Sequence, residues 1–103
     1  KVSSDEILVA GSLKIDASRH KVTVDGKKID LTPMEFKLLI KLTHAQGKVL
    51  SRDKLLDDIW DIAADVTTRT VDTHIKRLRQ KLMGAGELIE TVRGVGYRFN
   101  SEE

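Results

Sequence analysis

Residues 67 to 82, TTRTVDTHIKRLRQKL, admit little besides an amphipathic helix. Val71, Ile75, Leu78 and Leu82 recur at i, i+4, i+7 and i+11, one narrow apolar stripe at about 100° per residue. Arg69, Thr73, Lys76 and Gln80 project almost directly away from that stripe, with Asp72 and Arg77 flanking them. Five basic side chains and one acidic one give the segment a formal charge of +4, against +2 for the whole chain. A basic helical face is often no more than a solvated one. Here the outward side also carries Thr, Asp and Gln, hydrogen-bonding groups that can meet base edges as well as phosphates. Few i,i+4 acid–base partners lie along it, so its charges are left for an external partner, and a negatively charged polymer suits them.

The remaining residues must supply a core for that stripe. A chain of 103 residues, 40% hydrophobic, suffices for one domain. There are no cysteines, which excludes disulfides, thiolate metal sites and cysteine nucleophiles and permits a reducing compartment. No apolar run approaches the ~20 residues of a membrane span, and no segment reads as a signal peptide. Position 1 is Lys rather than Met, which points to a piece of a longer protein.

Residues 1–6 read as a linker remnant, 7–100 as the folded domain and 101–103 as a tail. From Ile7 to Leu31 the pattern is short and strand-like. Leu13 and Ile15 alternate with Lys14 and Asp16, and Val22 and Val24 with Lys21 and Thr23. Asp25-Gly26 is a hairpin signal, with Lys27 to Asp30 as the returning strand. Three or four antiparallel strands follow from this, apolar on one face.

A helix then starts. Thr32 can cap it, Pro33 fits its first position, Glu35 completes a capping box, and Leu31 and Phe36 can staple across the cap. Phe36, Leu39, Ile40 and Thr43 are expected on its inner face, and Gly47 stops it. Ser51 caps a second helix with Leu55, Leu56, Ile59 and Trp60 inward. Residues 51–66 carry −3, with Asp57, Asp58, Asp61 and Asp65 gathered at the helix end and following turn. The third helix is expected over 68–83, ended by Gly84 and Gly86. Leu88–Val92 and Tyr97–Asn100 flank Arg93-Gly94-Val95-Gly96, a hairpin tip whose two glycines would let backbone approach a ligand closely. The expected fold is α+β: a winged helix-turn-helix with an N-terminal antiparallel sheet, three helices and a C-terminal β-hairpin wing. Its third helix would enter the major groove of DNA, with Arg93 beside it at the backbone or in a narrow minor groove.

These residues resemble the winged-helix output domain of OmpR/PhoB-type bacterial response regulators. The likeness is carried by LTPMEFKLL (31–39), SRDKLLDDIW (51–60), RTVDTHIKRLRQKL (69–82) and ETVRGVGYRF (90–99), in order and over nearly the whole chain. It implies a four-stranded N-terminal sheet and a cytoplasmic two-component transcription factor. It also implies control by phosphorylation of an N-terminal receiver domain, which this chain lacks. The resemblance assigns Trp60, Arg69, His74, Lys76, Arg79 and Thr91 to phosphate or backbone contact. It assigns Thr73 and Arg77, with Asp72 as a further candidate, to base reading, and Arg93 to the minor groove. It further implies binding as a dimer on tandem half-sites of double-stranded DNA, and a polymerase-contacting turn carrying Asp61 and Asp65.

Each feature also has a plainer reading. Trp60 continues an apolar stripe and reads first as core. His20, His44 and His74 are far apart without carboxylate spacing, so neither a metal nor another cofactor is expected. Gly94-Val95-Gly96 lacks the context of a nucleotide loop and reads as a turn. Asp57 and Asp58 have no nucleophile beside them, which argues against an enzyme. The alternative to DNA binding is a winged helix used as a protein-interaction module contacting the transcription machinery.

Overall fold

A computed structural model describes residues 7–60 and 65–100. Four strands, β1 (Ile7–Ala10), β2 (Leu13–Asp16), β3 (Lys21–Val24) and β4 (Lys27–Ile29), form an antiparallel sheet in sequence order. The pairings Leu8–Ile15–Val22–Ile29 and Leu13–Val24 put two rows of apolar side chains on the inner face. Lys14, Lys21 and Lys28 face outward, as the alternation in the sequence requires. Helix α1 (Pro33–His44), strand β5 (Leu50–Ser51) and helix α2 (Arg52–Ile59) follow. Helix α3 (Thr68–Leu82) and strands β6 (Ile89–Val92) and β7 (Gly96–Phe99) complete the described chain. The result is the expected α+β winged helix-turn-helix. The spans 1–6 and 101–103, read as linker and tail, lie outside the described residues.

Local signals set the helix starts. Glu35 N–H donates to the Thr32 hydroxyl at 3.2 Å, and Thr32 N–H donates back to Glu35 Oε1 at 2.9 Å, the reciprocal capping box. Ser51 accepts from Lys54 N–H at 3.0 Å. The inner face of α1 is Leu38, Leu39, Leu42 and Thr43, whereas Phe36 and Ile40 are only half-buried. Apolar residues occupy too much of this helix for periodicity alone to orient it, and the packing partner decides. Phe36 instead lies parallel to the His20 ring, centroids 4.5 Å apart. Helix α3 ends at Leu82, one residue early, because Met83 turns to φ 56° and a 3₁₀ segment runs on to Leu88. Its stripe Val71, Ile75, Leu78 and Leu82 is wholly buried, each residue 0–1% exposed.

Strand β5 adds to the two-stranded wing expected from the sequence. It pairs with β7, so the wing is a three-stranded sheet, β5–β7–β6, rooted at the start of α2. Gly96 permits this joint: a Cβ there would lie 2.0 Å from the Leu50 carbonyl oxygen and 2.8 Å from Ser51 Cα. Its missing side chain therefore admits a neighbouring strand, a different use from the ligand approach expected of it. Helices α1 and α3 are joined by charge as well as packing. Lys81 Nζ donates to Glu35 Oε1 at 2.7 Å, and Glu35 is only 2% exposed. Burial pushes the Glu35 carboxyl up, but the bonds from Lys81 and Thr32 outweigh it and hold it below its ordinary value.

Candidate nucleic-acid interface

With one side of α3 sealed into the core, Arg69, Thr73, Lys76, Arg77 and Gln80 are all exposed on the other. Arg69, Lys76 and Arg77 make no ion pair among the described residues. Thr73 turns its hydroxyl proton back to Arg69 O at 3.1 Å, which leaves the oxygen's acceptor capacity outward.

The other two cations of the helix are committed internally, Lys81 to Glu35 as above and Arg79 to the wing. Arg79 Nε donates to Ile89 O at 3.1 Å and Nη2 to the Thr91 hydroxyl at 2.5 Å, while the guanidinium lies 5.6 Å from the Tyr97 ring centroid. Arg79 and Thr91, both expected at phosphates, thus meet each other.

Asp72 is similarly engaged. Arg52 Nε and Nη2, at the start of α2, donate to its two carboxylate oxygens at 3.0 and 2.5 Å, and Tyr97 Oη donates to Oδ1 at 2.6 Å. A carboxylate holding a forked guanidinium and a phenol has little capacity left for a base edge. Burial pushes the Asp72 carboxyl up, but the Arg52 and Tyr97 hydrogen bonds and the charges of Arg52 and Arg69 keep it below the usual range. Burial and then the Asp72 bond and charge push the Tyr97 phenol up to about 12.

Trp60 caps the end of α2 and is 8% exposed. Its ring meets His74 edge-on with centroids 5.1 Å apart, and His74 Nδ1 lies 2.9 Å from Thr70 O. The pair supports the outward side of α3 from below. At the wing tip, Val95 N–H donates to Val92 O at 2.9 Å around Arg93 and Gly94. Gly94 sits at φ 77°, as the third residue of a type II turn requires. Arg93 is exposed on that turn.

Of the acidic cluster, Asp58 is taken by Lys41 of α1, which ties α1 to α2, and by Lys54 within α2, each at 3.0 Å. Asp57 and Asp65 are exposed, and Asp61 lies outside the described residues. Among the described residues no group of three or more His, Asp or Glu side chains could hold a metal ion. No described helix is long and apolar enough to cross a membrane. Arg52 and Tyr97 are the supporting residues beneath this surface that periodicity did not single out. Their partner Asp72 is 20 and 25 residues away, so no local pattern marks them.

Comparison with known proteins adds an independent line. The family model described as "Transcriptional regulatory protein, C terminal" matches residues 26–99. The transcriptional regulatory protein ResD of Bacillus subtilis is 46% identical over 97 residues, a match covering 90% of this chain and 40% of ResD. The chain thus spans about 40% of the length of the curated relatives it matches. Among solved structures, the response regulator DrrB, a Thermotoga maritima OmpR/PhoB homolog, superposes with a TM-score of 0.84 at 40% identity. That match covers 91% of this chain and 44% of DrrB. The Klebsiella pneumoniae RstA DNA-binding domain, in complex with the RstA box, superposes at 0.81 with 35% identity. It covers 94% of this chain and 99% of that domain.

Proposed function

The chain belongs to the family of transcriptional regulatory protein C-terminal domains, of OmpR/PhoB type, and from that premise we propose that it binds double-stranded DNA sequence-specifically as the output domain of a two-component regulator. The observation that carries this reading is the outward side of α3, with Arg69, Thr73, Lys76, Arg77 and Gln80 exposed and the opposite stripe sealed. In this role α3 lies in the major groove. Thr73 and Arg77 read base edges, and Arg69 and Lys76 hold phosphates. His74, braced by Trp60, meets the backbone at the rim of the groove, and Arg93 enters the minor groove from the wing. Asp72, Arg79 and Thr91 support the readers rather than read. The whole protein acts in the cytoplasm under an N-terminal receiver and binds as a dimer on tandem half-sites.

The test is selection from a random duplex pool, followed by titration of the selected site across salt concentrations. The expected sites are tandem half-sites about one DNA turn apart. The logarithm of affinity should fall with that of salt by roughly 0.9 per phosphate neutralised, for several phosphates. Salt-independent binding, or no enrichment over the pool, would leave the protein-interaction module as the better reading.

The turn before α3 is proposed to contact RNA polymerase. Its support is the exposed carboxylate of Asp65, which phosphates would repel, so this surface is suited to face away from DNA. Changing Asp61 and Asp65 together to Asn should leave DNA affinity equal or slightly higher and lower activation by the full-length protein. Equal activation at matched promoter occupancy would reduce the turn to a connector.

A further inference from the structure

Two readers that sit on different elements discriminate between spacings of their subsites only if their own separation is fixed. Asp72 and Arg79 are seven residues apart on α3, about two helical turns or ~10 Å. Both engage the same residue of the wing: Tyr97 donates its hydroxyl to Asp72 at 2.6 Å and lies with its ring 5.6 Å beneath the Arg79 guanidinium. Thr91, directly opposite Tyr97 in the β6–β7 ladder, accepts from the same Arg79. Only the Val92–Gly96 pair separates this crosspiece from the tip that carries Arg93. A helix gripped at two points along its length by one rung of a hairpin cannot slide or pivot against that hairpin independently.

We propose that Tyr97 is a positioning residue that, through Asp72 and Arg79, sets the distance between the major-groove readers Thr73 and Arg77 and the minor-groove reader Arg93. The inference rests on the DNA-binding reading above and adds a ruler to it: the domain measures how many base pairs separate its two subsites. A one-base-pair displacement of the A·T-rich minor-groove subsite then costs affinity, because the wing cannot follow without breaking the crosspiece.

The test compares the selected duplex with one in which that subsite is moved by one base pair. The parent should discriminate by about tenfold or more, one well-made contact being worth about 1.4 kcal/mol. Tyr97→Phe keeps the ring under Arg79 and removes the hydroxyl. It should narrow the discrimination by about fivefold, the worth of one hydrogen bond, while binding to scrambled duplex stays unchanged. Were Tyr97 instead a phosphate contact, Tyr97→Phe would weaken cognate and scrambled duplexes alike and flatten the salt dependence; that result overturns the ruler. Unchanged discrimination overturns it too.

A readout on the free protein separates the crosspiece from the DNA reading. Tyr97 is the only tyrosine in the chain, so tyrosinate absorbance reports it alone. In a rapid jump to about pH 11, read before the far-UV signal changes, the parent phenol should stay mostly protonated, whereas an ordinary phenol would ionise. Asp72→Asn should make it ionise more readily. A phenol that titrates normally in the parent overturns the crosspiece itself. An upward-shifted phenol in a protein that binds no duplex would instead remove the DNA reading on which the ruler depends.

Discussion

Gly96→Ala is expected to destabilise the domain by about 3 kcal/mol or more and to abolish specific DNA binding with it. The added methyl would meet the Leu50 carbonyl oxygen at 2.0 Å and Ser51 Cα at 2.8 Å, and both are backbone, so no rotamer change relieves the contact. Either β7 withdraws from β5, or Ser51 is displaced from the cap of α2, itself worth about 1 kcal/mol. Gly94 supplies the control. A Cβ there meets nothing within 4 Å, and the cost is only the ~1–2 kcal/mol of a left-handed residue at φ 77°. Denaturant midpoints of the two variants measure the difference. Equal stability of Gly96→Ala and parent would mean that β5 and the wing do not pack as described.

Arg77→Ala should reduce affinity for the selected site by about 1–3 kcal/mol, roughly five- to 150-fold, while affinity for scrambled duplex hardly changes. Arg77 is exposed and unpaired among the described residues, so its guanidinium is free to take up a bidentate bond to guanine in the major groove. The same change at Arg79 has a different signature. Arg79 is spent on Ile89 O, Thr91 and the Tyr97 ring, so its loss should loosen the wing and lower stability, visible without any DNA. Competition titrations with specific and scrambled duplexes decide the first point. Equal losses on both would reassign Arg77 to the phosphates.

What was legible in the sequence divides by the range of the interaction. Val71, Ile75, Leu78 and Leu82 could be read because an isolated helix already lines them up, and each proves buried. The Thr32–Glu35 box and the Ser51 cap span three residues each and were equally plain. The inner face of α1 was misplaced by part of a turn. Phe36, Ile40, Leu38 and Leu42 all offer apolar surface, and only docking against α3 and the sheet chooses among them. The wheel leaves Asp72 at an intermediate position, and only the resemblance makes it a candidate base reader. Arg52 and Tyr97, which occupy its carboxylate, arrive from other elements. Strand β5 has two residues and no alternation to detect, so the sequence alone points Gly96 at a ligand, whereas its neighbour is the Leu50 backbone.

The Lys81–Glu35 bond has a consequence for the order in which the protein can be made. The capping box that starts α1 is complete within residues 32–35, early in synthesis, yet the carboxylate it uses ends up 2% exposed. Its counter-charge is 46 residues further along, in the last turn of α3. Until that lysine has left the ribosome, burying Glu35 would strand an uncompensated charge, which costs several kcal/mol. The burial of Glu35 is therefore compensated only once α3 docks. A chain that stops short of Lys81 is expected to leave Glu35 without its counter-charge and the Leu82, Ile89, Tyr97 and Phe99 places in the core unfilled, and so to be cut by proteases more readily than the full domain.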